Sequence, residues 1–179
     1  MTPLKNLKHS QYGLIVSVGI LLVALVVGGF YFTREQGDEA DSSNFYRVLH
    51  VIDGDTILIS IGGISERVRL VGIDTPEIKG ANTRDECFGL EASDRTNIML
   101  ARKEVRLLGD SLSDDRDKFG RLLRYVYLPD GTLINEELVR SGFATLYRGA
   151  EFEKQDLFLR LESQARELGI GLWSACFSR

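Results

Sequence analysis

The chain is poor in the residues that mark several hydrolase classes. Its 179 residues include two cysteines, two histidines, one tryptophan and three prolines. So few sulfur and imidazole ligands exclude a zinc centre of the usual ligand number. A histidine-based hydrolase is excluded as well, because His9 precedes a long apolar run and His50 sits in a strand pattern. Scarce proline leaves the chain free to form mostly regular structure. Positive charge is also lacking: 22 Lys and Arg stand against 26 Asp and Glu, a net charge of -4. The charged residues before position 44 alter that balance by a single unit. The broad basic field of many nucleic-acid binders is therefore absent, and any phosphate site must be local. There is no internal repeat and no low-complexity tract.

What is present begins with one hydrophobic run. Residues 12–32, "YGLIVSVGILLVALVVGGFYF", carry no charge, and a helix of that length at about 1.5 Å per residue matches a hydrocarbon core of roughly 30 Å. The run reads as a transmembrane anchor. Lys5 and Lys8 precede it, while Glu35, Asp38, Glu39 and Asp41 follow. The positive-inside rule then keeps residues 1–11 cytoplasmic and sends the rest of the single-pass chain outside. A cleaved secretory signal is the competing reading and would give a secreted protein. Against it, the run exceeds the usual apolar region of about 7–15 residues and no A-x-A site follows. Residues 33–43, "TREQGDEADSS", form a flexible linker. With 44% hydrophobic content, residues 44–179 can build one ordinary domain with its own core.

In that domain "FYRVLHVIDGDTILISIGG" and "ISERVRLVGIDT" alternate polar and apolar residues about Gly62-Gly63, which predicts a hairpin and a third strand in a meander. "GLEASDRTNIMLARKE" (89–104) spaces Ala92, Ile98, Met99 and Leu100 as an amphipathic helix, followed by a short strand, "VRLLGD". After the polar loop "SLSDDRDKFG" come a strand, "RLLRYVYL", and a turn, "PDGT". "INEELVRSG" predicts a short helix with Asn135 near its N-cap and Gly142 at C′. "EKQDLFLRLESQARELG" places Leu157, Leu161, Ala165 and Leu168 at helical intervals and stops at Gly169. This order predicts an α+β fold, a small OB-type β-barrel with helices packed on it. Trp173 is expected to pack on the core.

The charged residues raise one physical question. In "VIDGDTILI" Asp53 and Asp55 interrupt residues that want burial, and buried carboxylates are costly as anions. On the third strand Arg67 and Arg69 share one face, Val68 and Leu70 the other. That strand runs into "GIDTPE", which supplies Asp74, Thr75 and Glu77. If the two strands pair, several carboxylates gather beside one or two arginines, and a cation would relieve their repulsion. All the ligands on offer are hard oxygens, which suits Ca²⁺ or Mg²⁺. "DKFGR" adds Lys118 and Arg121 at the end of a loop. Two arginines with a carboxylate-bound cation make a site for a phosphoryl group, gripped by bidentate contacts.

"VIDGDT", "RVRLVGIDTPE", "DKFGRLLRYVYLPDG", "INEELVRSGFA" and "GLWS" resemble, in order and spacing, the staphylococcal nuclease (thermonuclease-like) family over about residues 46–174. The resemblance implies a five-stranded OB-type β-barrel with three packed helices, and hydrolysis of DNA and RNA, single-stranded or frayed, with calcium, by a monomeric domain. Position by position it implies Asp55 and Asp74 as side-chain metal ligands, Thr75 as donor of a backbone carbonyl and Asp53 as a supporting residue behind them. It assigns Arg69 and Arg121 to the scissile phosphate, and Glu77 to the attacking water as general base or positioning group. The alternative is a non-catalytic OB module that binds single strands or protein partners.

The sequence departs from that family around substrate grip. Phe119 stands where relatives often have tyrosine, which keeps stacking but removes a hydroxyl. "YRGAEFE" offers only Tyr147 and Arg148 as stand-ins for an aromatic-rich stretch, with Tyr147 open to base stacking or plain packing. Cys87 and Cys176 flank the domain, and in a compartment outside the cytoplasm they are expected to form a disulfide.

Overall fold

The computed structural model describes residues 44–78 and 85–177. The anchor, the linker and the cytoplasmic terminus read from residues 1–43 lie outside the described residues. No helix among the described residues is long and apolar enough to cross a membrane.

Five strands close into a barrel in the order β1-β2-β3-β6-β5. They are β1 (Tyr46–Val51), β2 (Thr56–Ile61), β3 (Ile64–Leu70), β5 (Glu104–Leu108) and β6 (Leu122–Tyr127). Gly62 and Gly63 both take positive φ, 56° and 84°, as the two-residue turn joining Ile61 to its partner Ile64 requires. Strand alternation then sorts the side chains: Ile57, Ile59, Val68 and Leu70 are fully buried, while Arg67 and Arg69 project from the other face of β3. Burial of these apolar residues is what holds the barrel closed.

The pairing of β3 with β6 is parallel, Val68 opposite Leu122 and Arg69 opposite Leu123. This register brings the end of the "DKFGR" loop beside Arg69. A further two-stranded sheet pairs β4 (Ile73–Asp74) with β7 (Thr145–Leu146). Local sequence pattern gives no signal for two-residue strands whose partners lie some seventy positions apart, and that sheet is absent from the sequence reading. It fixes the backbone of Asp74 against Thr145.

Four helices occur among the described residues: α1 (Gly89–Leu100), α2 (Ile134–Arg140), α3 (Gln155–Glu167) and the single turn α4 (Leu172–Ala175). Three expectations need correction. Helix α1 stops at Leu100 rather than 104, because Arg102 takes a left-handed φ of 62° and the chain enters β5 at Glu104. Its inner face is Ala92, Thr96, Met99 and Leu100, and Ile98 is 72% exposed. At 100° per residue Ile98 cannot share a face with both Ala92 and Met99. In α3 the buried side chains are Phe158, Leu161, Glu162 and Ala165; Leu168, though on the side of Leu161, is the C-cap residue just past the helix end and stays in solvent.

Asn135 is no N-cap. The N-cap is Leu133, without a side-chain cap bond. Asn135 is instead fully buried, accepting the Val126 N–H at 2.9 Å and donating to the Val71 carbonyl at 2.9 Å and the Arg124 carbonyl at 3.3 Å. It ties α2 to the ends of β3 and β6, and its amide satisfies backbone groups that burial would otherwise penalise. Gly142 does follow α2 with φ 71°, as expected of a C′ glycine. Trp173 packs with Ala165 and Leu172, under the Arg166 guanidinium at 4.3 Å.

A carboxylate and arginine cluster at the barrel edge

The Asp-Gly-Asp turn between β1 and β2 is built by short-range bonds. The Ile52 N–H reaches the Thr56 carbonyl at 2.9 Å, and the Asp55 N–H reaches Asp53 Oδ1 at 3.0 Å. Thr96 on α1 donates its hydroxyl to the Gly54 carbonyl at 2.6 Å. A Cβ on Gly54 would lie 2.6 Å from Thr75 Oγ1, so only glycine lets this turn press against the "DTPE" segment. The question raised by two aspartates within an apolar run is thereby half answered: they lie in a turn between strands, and the glycine between them is there for contact.

That contact holds Asp55. Its Oδ2 accepts the Thr75 N–H at 3.0 Å and the Thr75 hydroxyl at 3.2 Å. Its Oδ1 accepts the Thr56 hydroxyl at 3.0 Å and faces Arg69 Nε at 3.1 Å. Asp55 is 3% exposed. Burial pushes its carboxyl up to about 7, with Arg69 and the Thr75 N–H opposing and Asp53 reinforcing the rise.

Arg69 binds both predicted carboxylates at once. Its Nη2 donates to Asp74 Oδ1 at 2.9 Å, and Nη1 donates to the Ile73 carbonyl at 2.7 Å and the Leu70 carbonyl at 3.0 Å. Asp55 and Asp74, nineteen residues apart in sequence, thus converge on one guanidinium. Burial also raises Asp74, Arg69 opposing it and Glu86 and Asp53 adding to it. Glu77 is raised as well, by burial first and then by Asp53 and Asp74.

The second arginine arrives from the loop before β6. Asp117 Oδ2 accepts Arg121 Nε–H at 2.7 Å, and Asp117 Oδ1 accepts the backbone N–H groups of Phe119 and Arg121 at 2.9 and 3.0 Å. Burial opposes the charge on Asp117, but these donors hold its carboxyl below the usual range. Arg121 Nη1 then donates to Thr56 Oγ1 at 3.3 Å. Thr56 therefore joins the two halves of the site, donating to Asp55 and accepting from Arg121. Thr56, Thr75 Oγ1, Thr96 and Asp117 were missed as site residues from sequence. The spacing "DxFGR" gave the only available signal, an acidic residue four before Arg121.

Arg69 and Arg121 line a cleft of about 460 Å³ together with Lys118, Phe119 and Tyr147. Phe119 is 61% exposed, with Lys118 Nζ 5.0 Å and Arg121 Cζ 5.4 Å from its ring centre. Arg148 is not brought there. Its guanidinium donates to the Leu146 carbonyl at 2.9 Å and pairs with the buried Glu162 on α3. His50 is an exposed β1 residue.

Among the described residues no three His, Cys, Asp or Glu side chains gather as a metal cage. Two carboxylates on a common guanidinium nevertheless fit one hard cation, whose remaining positions would go to a backbone carbonyl, water and a phosphate oxygen. Burial already disfavours both anions, and a cation beside them restores the ionised form. The donor chemistry thus fits a hard divalent cation.

A disulfide joins Cys87 and Cys176, with Cα atoms 5.9 Å apart. A profile of the family described as staphylococcal nuclease homologue matches residues 67–175. The chain is 35% identical over 169 residues to a thermonuclease of Staphylococcus hyicus, covering 89% of this chain and 98% of the relative. It is 38% identical over 160 residues to a thermonuclease of Staphylococcus intermedius, covering 86% and 94%. An uncharacterized endonuclease of Escherichia coli O157:H7 is 35% identical over 128 residues, covering 72% and 76%.

Proposed function

The chain belongs to the staphylococcal nuclease family, and from that premise we propose that it hydrolyses phosphodiester bonds of DNA and RNA with calcium, outside the cytoplasm, as a monomeric domain on a membrane anchor. The observation that carries the reading is the joint placement of Asp55, Asp74, Arg69 and Arg121 within one bonded network whose two arginines line a cleft. The anchor and its topology rest on the apolar run and flanking charges of residues 1–43 alone.

Attack of water on a phosphodiester builds negative charge on the nonbridging oxygens. Arg69 and Arg121 stabilise that charge, and their own bonds to Asp55, Asp74, Asp117 and Thr56 orient them beforehand, so little reorganisation is needed at the moment of reaction. Asp55, Asp74 and the Thr75 carbonyl would hold calcium, which supplies positive charge beside the phosphate and lowers the pKa of nearby water. Glu77 holds the attacking water, as base or as hydrogen-bond acceptor. Phe119 and Tyr147 offer aromatic surface to the sugar or base.

The test is direct. Single-stranded DNA and RNA incubated with the protein are cleaved in calcium and left intact under chelation; binding without cleavage would make it a module instead. A finer result is expected of Asp117→Asn. Asparagine keeps an oxygen for the two loop N–H groups but turns an amide toward Arg121 Nε, and loss of that charged bond lowers kcat roughly tenfold. Unchanged turnover would mean that Arg121 is oriented by other groups.

A further inference from the structure

Glu77 is held from outside the arginine and carboxylate cluster. The Glu86 N–H donates to the Glu77 carbonyl at 3.0 Å, and Glu86 Oε2 accepts the Glu77 N–H at 3.2 Å. Two bonds to one partner, from either side of the Glu77 Cα, fix its backbone and the starting direction of its side chain. The Gly89 N–H then closes a turn on the Glu86 carbonyl at 3.0 Å. A Cβ on Gly89 would come within 2.8 Å of the Glu77 carbonyl oxygen, so the entry to α1 runs against Glu77 at a distance only glycine permits.

The turn is in turn fastened by its next two residues. Cys87 is bonded to Cys176 just past α4. Phe88 takes a left-handed φ of 72°, sets its ring 5.3 Å from that of Phe143 and packs on the cluster of Ala165, Leu172 and Trp173. A small cavity of about 250 Å³ is bounded by both cysteines, Glu86, Asp74 and Thr75, so the bridge stands beside the ligand segment itself.

We propose that Glu86, locked in place by the Cys87–Cys176 bridge, is the positioning residue for Glu77. The inference rests on the nuclease reading above and deepens it. A group that orients water must be held to a fraction of an ångström, and the covalent tie makes the Glu86 turn a fixed support for a residue that follows a short strand end. Neither Glu86 nor the disulfide touches the reacting atoms; both act through Glu77.

The experiment uses the full chain with calcium and single-stranded DNA, comparing wild type with Glu86→Ala, Glu86→Gln and Cys87→Ser well below their melting temperatures. Glu86→Ala and Cys87→Ser are expected to lower kcat on the order of 10- to 100-fold, with KM changed less than about threefold. Glu86→Gln retains a carbonyl oxygen for the Glu77 N–H and returns kcat to within about threefold of wild type. A glutamine variant as slow as the alanine variant would overturn positioning in favour of charge. Amide exchange of the Glu77 N–H, which needs no turnover, is expected to quicken in Glu86→Ala and stay slow in Glu86→Gln. Wild-type cleavage with an undiminished kcat in Glu86→Ala overturns this inference alone. Failure of wild type to cleave overturns the nuclease reading and this inference with it.

Discussion

Replacing Arg69 with alanine is expected to lower phosphodiester hydrolysis on the order of 10³- to 10⁵-fold, the range in which arginines aimed at a reacting phosphoryl group act. Two losses combine. The guanidinium that would grip the phosphate is removed, and the geometry of both carboxylates loosens, because Arg69 is what bonds Asp55 at 3.1 Å and Asp74 at 2.9 Å. The fold suffers as well. Asp55 would keep its burial without its countercharge, a change worth roughly 3 kcal/mol when a buried pair is broken. Proton uptake by Asp55, already raised to about 7 by burial, relieves part of that cost. Arg69→Lys separates the effects: one ammonium restores a countercharge but not the fork that spans two carboxylates and two carbonyls, so stability recovers more than kcat. Steady-state kinetics on single-stranded DNA, beside circular dichroism and urea unfolding, reads both. Turnover of Arg69→Ala within tenfold of wild type would remove Arg69 from the reaction.

The second large effect is on stability. Cys87 and Cys176 are 89 positions apart, and closing a loop of that length restricts the unfolded chain by roughly 4 kcal/mol in the chain-entropy model. For a domain whose total stability is about 5–15 kcal/mol, the double variant Cys87→Ser, Cys176→Ser is expected to melt roughly 10–20 °C lower. Thermal unfolding followed by circular dichroism checks this, and thiol titration of denatured, unreduced wild type is expected to find no free thiol. Two free thiols, or an unchanged melting temperature, would refute it. The packing on either side of the bridge is apolar and small, centred on Trp173, Leu172 and Ala165, so the cross-link is the strongest tie between the last turn and the start of α1.

The hairpin and meander were legible because Gly62-Gly63 and the alternation of Ile57, Ile59, Val68 and Leu70 are local signals with a fixed period. That Asp55, Arg69, Asp74 and Arg121 would come together was legible for another reason: charged residues that break an apolar run need partners, and the matched motifs name them. Helix faces were less so. Ile98 and Leu168 are apolar yet exposed, whereas Thr96, Asn135 and Glu162 are polar yet buried, each with a hydrogen-bond partner supplied from another element.

By itself the sequence determined the succession of barrel strands along the chain, the chemical types available to the site and the pair of cysteines. Only tertiary structure decided which of them meet. The parallel register of β3 with β6, the two-residue sheet fixing Asp74 against Thr145, and the diversion of Arg148 to Glu162 all join positions distant along the chain. Such contacts follow from how the barrel closes and where the helices pack on it, and closure is a property of the whole chain that no window of neighbouring residues encodes.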